Sequence, residues 1–599
     1  MPLDSTAPYE EAGATLLAAQ PPSLPDPQAV PGANWDTINA HLEKRYGALR
    51  NWRLSWWQHW TSLAEYLLPR RFRYLVVPNT YDRGNDLNGA IVDSTATLAM
   101  QVCAAGMWSG LTSPTRPWFK LGIGLPWVEL DADAKAWLEQ VEQRLYYVLS
   151  QSNFYNIMAQ AFQDVATFGT APVIMYEDAD TVLRCYLPCA GEYYLATGSR
   201  LDVDTLYREF TLTVSQVVEM FTLEACPAVI RGLWEQGGAS LENEFVILAA
   251  IEPNFALAAR NGKKSVRVVP GGFAFREVYW LKGIKAEAEL SRRGFHERPF
   301  FTARWSVVSN DPYGRSPGMD CLGDTKQLQQ ETRRKGEFIE KLVRPPMGAD
   351  SQLKNEPSSI LPGHITYLST DGGKKGFYPL FEMSPAALPP MVEDIKEIQA
   401  RIERCFFVDV FMAITRMEGV QPRNELELTK RDLERLQVLG PFVNLFETEC
   451  AGPAIMRALG ILQRRGLTPP MPQSMKGLPL KIDFQSMMKV AQAASANTGI
   501  AATLGTVAQI SQAAIQTGAH PPLDNFDLDE ASRVLAENSG FPAKAILSAD
   551  QVAQVRQARA QQVASQQTAA IAPAAVDAAK TLSETNPNQG ALGAMLGAH

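Results

Sequence analysis

The chain has 599 residues, of which 46% are hydrophobic and 20% are charged, so it is long enough to bury several cores. Its net charge of −8 argues against a protein that grips nucleic acid over a broad surface, because tight phosphate contact needs clustered Lys and Arg. A protein that DNA merely slides past remains compatible with this charge, whereas no apolar run approaches the length of a membrane-spanning helix.

The N-terminal segment, residues 1–33, is rich in Pro and Ala and is predicted to be a flexible arm. It has neither the basic region nor the apolar region of a signal peptide. The chain's seven cysteines are odd in number and dispersed, which fits reduced thiols in a cytosolic setting better than a disulfide framework.

A helical pattern follows the arm, and tryptophans mark one side of it. Trp52, Trp56 and Trp60 recur every four residues, and Arg50 and Arg53 are interleaved with them. This spacing favours an aromatic core stripe with a solvated basic face, and base stacking by the tryptophans is the alternative.

The segment from Ile91 to Met107 is predicted to be a helix that packs unusually close to its neighbours. Large apolar residues alternate there with Ala and Gly, and small side chains let another backbone approach while leaving little room for a chemical site. Gly110 is expected to end this helix, and a strand should begin at Trp118. Two more helices are predicted at residues 131–150 and 155–168.

From Ala171 to about Ser309 the pattern changes to short β-branched or aromatic segments separated by turn residues. This predicts a β-rich domain of antiparallel type, interrupted by a helix near residues 214–221. Cys185 and Cys189 are close in sequence but have no histidine near them, so we favour buried strand cysteines over a metal site.

Two helices separated by a small protrusion are predicted next. The first, Met319 to about Val343, is polar on nearly every face at residues 327–337, so it must be exposed or line something wet between subunits. The second runs from Pro390 to Met412 and carries one narrow apolar seam suited to a single neighbouring helix. The seam residues are Met391, Ile395, Ile398 and Ile402.

An irregular loop and a long helix follow at about residues 415–439, and the C-terminal region from about Ala491 is rich in Ala and Gln. Residues 551–562 suit a helix with little apolar face, which would pack against copies of itself or stay mobile. The tail from about Thr581 is predicted to be disordered.

Several segments resemble the head-to-tail connector (portal) proteins of podovirus-type bacteriophages, and the likeness extends from about Trp35 to Met488. The segments are IVDSTATLAMQVCAAGMWSGLTSPTRPWF (91–119), LGPFVNLFETE, ILQRRGLTPPMP and KIDFQSMMKVAQAA. The order of helix, β protrusion, helix, loop and long helix also resembles the stem, clip, stem, tunnel loop and wing helix of that family.

The resemblance implies an α+β portal fold that assembles into a ring, with a flexible arm, a wing, a two-helix stem, a clip and a helical crown. The implied boundaries are 1–33 for the arm, 34–316 for the wing (helical to 170, β-rich from 171), 317–344 and 390–412 for the stem helices, 345–389 for the clip, 413–424 for the tunnel loop, 425–490 for the wing helix and return, 491–580 for the crown or barrel, and 581–599 for a disordered tail.

The resemblance also implies which side chains meet DNA in a central channel. These are Lys326, Arg333, Arg334, Lys335 and Lys341 of the first stem helix, and Arg416 and Arg423 of the tunnel loop. With mixed charges repeated around a ring, phosphates would meet weak, evenly spaced contacts that favour sliding. The alternative is that these charges pair between adjacent subunits and hold the ring together, and the two roles can coexist.

The function implied is that of a non-enzymatic portal subunit, without cofactor or metal, in a dodecameric ring at one capsid vertex of the virion. Its implied partners are further copies of itself, the major capsid and scaffolding proteins, the terminase large subunit, tail adaptor proteins and double-stranded DNA read without sequence specificity, but no membrane. The alternatives are another phage ring component such as a tail adaptor, or a cytosolic hydrolase that uses Asp320, Asp324 and His296.

Overall fold

The computed structural model describes residues 35–69, 71, 89–125, 128, 130–254, 256–257, 266–267, 269, 272–284, 288–349, 377–380, 384–412, 439–485, 487–516, 520, 522–538 and 551–562. The expected arm, tunnel loop and tail lie outside these residues, as do Arg416, Arg423 and most of the expected clip. The chain divides into two compact units, one of residues 1–127 and 140–492, the other of residues 128–139 and 493–599. None of the described helices is both long and apolar enough to cross a membrane.

Helices dominate the first part of the chain, as the sequence predicted. They are α1 (Trp35–Leu67), α2 (Thr95–Leu111), α3 (Ala132–Gln151) and α4 (Phe154–Phe168). The small-residue helix is therefore present, and it buries Ala96, Ala99, Cys103 and Ala104 among other residues. Its Leu98, by contrast, is 55% exposed.

The tryptophan stripe of α1 belongs to the core at one end only. Trp60 is fully buried and packs edge-on against Tyr313, whereas Trp52 is 45% exposed. The Arg53 side chain is buried too, and its guanidinium donates hydrogen bonds to the carbonyl oxygens of Gly191 and Tyr193. Arg53 is therefore held by the protein itself, which favours the aromatic-core interpretation over base stacking.

The described part of the β-rich region forms two larger antiparallel sheets and a separate two-stranded pair, which confirms the predicted type. The strands are β2 (Thr170–Asp178), β3 (Val182–Tyr186), β4 (Tyr193–Thr197), β5 (Val203–Thr213), β6 (Glu244–Pro253), β7 (Ala256–Leu257), β8 (Val266–Arg267), β9 (Phe275–Leu281), β10 (Glu289–Phe295) and β11 (Phe300–Arg304). One sheet has the order β10-β9-β6-β5-β4 and the other the order β11-β2-β3, while β7 and β8 pair separately. The predicted helix, α5 (Val214–Phe221), is followed by α6 (Ala228–Gln236), which the sequence did not predict. Cys185 lies buried in β3, where burial raises the pKa of its thiol to about 12.

The five-stranded sheet is covered on both faces. On β6, Leu248 and Ala250 face a cluster that includes residues of α1, while Ile247 and Ala249 face the cluster formed with α5 and α6. Successive side chains of a strand point to opposite faces, so a strand buried on both faces has a continuous apolar run rather than an alternating one. This is why VILAAI in β6 is uniformly apolar.

Between residues 317 and 464, the region of the predicted stem, the described chain forms helices and two short strands. These are α7 (Pro317–Asp320), α8 (Leu322–Val343), β12 (Met347–Ala349), β13 (Phe377–Pro379), α9 (Leu388–Cys405), α10 (Val408–Phe411), α11 (Gly440–Phe446), a π-helical segment (Glu447–Ala451) and α12 (Gly452–Arg464). The predicted helix through Met412 is interrupted after Cys405, because Phe407 takes a left-handed conformation (φ 57°) and its ring packs on Trp305.

The last strand of this unit, β14 (Leu480–Phe484), pairs antiparallel with β1 (Phe119–Ile123). The strand predicted to begin at Trp118 is therefore confirmed as β1, and its partner comes from more than 350 residues later in the chain. The described residues after this strand lie mainly in helices: α13 (Met487–Gln516), α14 (Leu528–Asn538) and a helix at residues 551–562. In the C-terminal unit, Arg556 forms an exposed ion pair with Asp529 at 2.6 Å.

Candidate functional site

The candidate site is a hairpin of two helices, α8 and α9, which we call the stem hairpin. The two helices pack against each other, and Asp324 near the start of α8 pairs with Arg401 near the end of α9 at 3.4 Å, so they run antiparallel. At the far end of the hairpin, β12 pairs antiparallel with β13. The Asp324–Arg401 pair is more than a third exposed on both sides and therefore adds little stability.

The base of the hairpin is fixed by the short helix α7. Ser316 caps α7: its hydroxyl accepts a hydrogen bond from the Met319 backbone and donates one to the carbonyl oxygen of Thr167 at 2.7 Å. Pro317 occupies the first helical turn, where its missing N–H costs nothing. A Cβ on Gly318 would lie 3.0 Å from the carbonyl oxygen of Ala166, so α7 sits directly on the end of α4.

A buried glutamine ties α8 to the segment before α2. The Gln329 side-chain oxygen accepts hydrogen bonds from the backbone N–H groups of Val92 (2.7 Å) and Asp93 (2.8 Å), and its amide donates to the Asp93 carbonyl at 2.9 Å. Gln329 is 4% exposed, and Thr325 and Leu328 beside it are also buried. The expectation that residues 327–337 bury nothing within their own chain is therefore wrong at this end of α8. A glutamine can be buried when every polar atom of its amide finds a partner.

The same segment binds α9. The Gln399 amide donates to the Asp93 carboxylate at 2.9 Å and to the Thr95 hydroxyl at 3.3 Å. Of the seam residues on α9, Ile395, Ile398 and Ile402 are buried and Met391 is half-buried. The helix contacts α2 as well as α8, so it has two neighbouring helices rather than the single one expected. Neither glutamine was singled out in the sequence, because a polar residue in a polar helix carries no periodic signal.

The outer part of α8, from Gln330 to Val343, contains no buried residue. Such a length of helix spans about 21 Å at 1.5 Å per residue. Its surface mixes charges, with four basic and three acidic residues, and exposes Ile339 and Val343. A segment with so little burial depends on solvent or on another chain for its environment.

The five predicted basic residues of α8 lie on different faces. Lys326 and Arg333 are seven residues apart and share a face, and the Lys326 ammonium lies 5.5 Å from the centre of the Tyr66 ring. Arg333, Arg334 and Lys341 are exposed and form no ion pair with any described residue. Lys335 is half-buried, because it lies two turns beyond Leu328 on the face that packs inward.

The residues of the hydrolase alternative have separate partners. Asp324 pairs with Arg401, whereas the His296 ring packs on the Phe273 ring with centroids 4.7 Å apart. Within the described chain, no hydrogen bond or ion pair links His296 to Asp320 or Asp324. The described residues also contain no group of three or more His, Cys, Asp or Glu that could hold a metal ion.

Two kinds of comparison with known proteins, one with family models and one with individual relatives, point to the same family. A family model described as "Bacteriophage head to tail connecting protein" matches residues 39–547. The chain is 34% identical over 551 residues to the portal protein of Salmonella phage epsilon15, covering 92% of this chain and 96% of the relative. It is also 34% identical over 555 residues to the probable portal protein of Bordetella phage BPP-1, with the same coverage of both chains.

Proposed function

Because the chain belongs to the family of bacteriophage head-to-tail connecting proteins and has the function of a phage portal, we propose that its stem hairpin surrounds a channel for double-stranded DNA. Copies of the hairpin stand side by side in a closed ring, which we expect to be dodecameric. The family is structural, and its members connect head and tail at the portal vertex of the virion.

One observation carries the proposal: none of the outer fourteen residues of α8 is fully buried within its own chain, while the base of the same helix is tightly anchored. An exposed helix on a rigid base can line a wet passage between subunits. Head-to-tail contacts between identical subunits close into a ring when the rotation between them is right.

The charge of the stem hairpin favours the passage of DNA over its tight binding. Residues 317–344 contain six basic and five acidic residues, and residues 391–412 contain three basic and five acidic residues, so each hairpin has a net charge of −1. A ring of such hairpins attracts phosphates at a few places and repels them at others, which leaves no deep energy well along the path. We assign the phosphate contacts to Arg333, Arg334 and Lys341, and Lys326 adds a contact on the face it shares with Arg333.

We also propose the partners that the family likeness implies. Residues 345–389 act as the clip that binds the large terminase subunit during packaging and tail adaptor proteins afterwards. The wing contacts the major capsid and scaffolding proteins. These roles are supported by the order of the elements around the stem hairpin and by the family match, which spans the hairpin and both its flanks.

Alanine substitution of Arg333, Arg334 and Lys341 together tests the channel role. Electron microscopy and native mass measurement should show rings of the same copy number, whereas the amount of DNA packaged or retained should change. The matched control is Arg200→Ala, an exposed arginine in the turn between β4 and β5, which should leave both unchanged. Normal rings with normal packaging and ejection would remove these residues from the channel. Loss of rings at raised salt would assign them to subunit contacts instead.

A further inference from the structure

Two cysteines meet at the base of the stem hairpin, where α8 begins and α9 ends. The Cys321 backbone N–H donates to the carbonyl oxygen of Pro317 at 3.0 Å, and the Cys405 thiol donates to the same oxygen at 3.3 Å. The Cys321 thiol contacts the carbonyl oxygen of the next residue, Gly318, at 3.8 Å, so the two thiols meet adjacent carbonyl groups of α7. Two residues separated by 84 positions are thus held side by side by the packing of the two helices.

The two thiols differ in exposure and in acidity. Cys321 is 1% exposed, whereas Cys405 is half-buried and within reach of small reagents. The neighbouring Cys321 thiol lowers the pKa of Cys405, and the Cys405 thiol together with burial raises the pKa of Cys321. A half-exposed thiol with a lowered pKa beside a second thiol is the arrangement that thiol–disulfide exchange requires.

We propose that Cys321 and Cys405 form an intramolecular disulfide when the protein meets a low-molecular-weight disulfide, and that this bond fastens the two helices of the stem hairpin at their base. The bond is absent in the reducing cytosol, where thiols stay reduced, and forms after the protein reaches an oxidising environment. The disulfide forms whether or not the protein lines a DNA channel. Only its role in holding the channel wall rests on the proposed function.

The reaction takes place in two exchange steps. The Cys405 thiolate attacks one sulfur of the small disulfide, forms a mixed disulfide and releases one small thiolate. The Cys321 thiol then gives its proton to solvent and attacks the Cys405 sulfur, forming the S–S bond and releasing the second small thiolate. Two protein thiols are oxidised while one small disulfide is reduced to two thiols.

A third cysteine makes the proposal specific. Cys103 of α2 is fully buried, and burial together with the nearby Cys405 raises the pKa of its thiol to about 12. Burial raises the pKa of the Cys321 thiol as well, so acidity does not choose between the two partners. Position does: the Cys321 backbone N–H and the Cys405 thiol share the Pro317 carbonyl oxygen, so Cys321 is the expected partner of Cys405, and a Cys103–Cys405 bond is the competing product.

Oxidised glutathione added to the purified full-length protein tests the proposal. After the remaining thiols are alkylated and the protein is digested, mass spectrometry should find one peptide pair joined between Cys321 and Cys405, and a reducing agent should separate it. The midpoint of thermal unfolding should rise on oxidation, because the cross-link closes a long loop in the unfolded chain.

Single variants supply the controls. Cys321→Ser and Cys405→Ser should each abolish the linked peptide and the rise in midpoint, whereas Cys226→Ser, a buried cysteine elsewhere in the unit, should keep both. Peptide mapping of the wild type decides the question even where a variant folds poorly. A glutathione adduct left on Cys405, a Cys103–Cys405 link, or no link at all would overturn the proposal. Ring formation is measured separately, so failure of the proposed function would leave the peptide map unchanged.

Discussion

Gly169 and Gly314 lie backbone against backbone. A Cβ on Gly169 would come within 2.2 Å of the Gly314 carbonyl oxygen, and a Cβ on Gly314 would come within 2.4 Å of the Gly169 carbonyl oxygen. Gly169 ends α4 with φ 77°, and the Gly314 N–H donates to the Thr170 hydroxyl at 2.7 Å. The contact fixes the chain three residues before α7, so it sets the place from which the stem hairpin departs.

Gly169→Ala is expected to destabilise the protein by on the order of 3 kcal/mol, because the new methyl group meets backbone atoms and the residue must keep a left-handed conformation. Urea unfolding followed by circular dichroism measures the change. Gly336→Ala is the matched control: it lies in the exposed part of α8 with nothing within 4 Å of its Cβ position. That variant should gain about 0.5–1 kcal/mol from helix propensity, and equal effects at the two glycines would contradict the argument.

Gln329→Leu is expected to loosen the stem hairpin from the rest of its unit. The substitution leaves the partly buried backbone N–H groups of Val92 and Asp93 without their acceptor, which costs about 1–3 kcal/mol. Hydrogen exchange should then be faster at the start of α2 and along α8, while the β-sheets keep their protection. Gln327→Leu is the control, because Gln327 is exposed and, among the residues that the structure describes, bonds only to Glu331 of its own helix. Unchanged exchange in the Gln329 variant would show that the glutamine is not the anchor.

The features of this fold that the sequence predicts are those set by residues close to one another along the chain. The small-residue helix, the isoleucines at 395, 398 and 402, and the antiparallel strands have periodic patterns that local reading detects. Other features carry no such signal. The β1–β14 pair joins residues 119–123 to residues 480–484, and no local pattern shows which distant strand supplies the partner.

In the stem hairpin, too, local sequence patterns predict some features, while others depend on distant parts of the chain. Its basic residues are visible in the sequence, but their faces are not equivalent, and the inward position of Lys335 depends on where Leu328 packs. Gln329 appears in sequence as one more polar residue of a polar helix. Only the turn at Val92 and Asp93, more than 230 residues earlier, makes it a buried anchor.

The stability of the folded protein should depend on pH in opposite directions through two buried glutamates, Glu252 and Glu277. Burial pushes the pKa of Glu252 upward, but the hydrogen bond from His41 and the charge of Arg276 outweigh it and leave the pKa lowered. Glu252 therefore stabilises the fold above the pKa of an unfolded glutamate, near 4.3, and this contribution is lost as the pH falls through its lowered value. Glu252→Gln should cost about 3–5 kcal/mol at neutral pH, because buried Arg276 loses its charge partner, and less in acid.

Glu277 is the opposite case. Burial raises its pKa, although the Tyr176 and Tyr279 hydroxyls donate hydrogen bonds to it. The folded protein therefore binds this proton more tightly than the unfolded chain does, and stability falls as the pH rises through the raised pKa. Relative to the wild type, Glu277→Gln should become more stable as the pH is raised from 4 to 7, measured by denaturant unfolding at each pH. Parallel curves for the wild type and this variant would argue against a proton held on Glu277.

Gly106→Ala tests whether the small residues of α2 exist to admit a neighbour. A Cβ at this position would lie 2.1 Å from the Phe411 ring, so the ring of α10 occupies the space that a larger residue would need. The substitution should destabilise the protein by about 1–3 kcal/mol, as overpacking does.

Phe411→Leu should cost a comparable amount alone through the cavity it leaves, but it should remove most of the penalty when combined with Gly106→Ala. Additive costs in the double variant would mean that the glycine serves helix geometry rather than the contact with Phe411. Gly110→Ala, four residues along the same helix with nothing within 4 Å of its Cβ position, should be tolerated or stabilising.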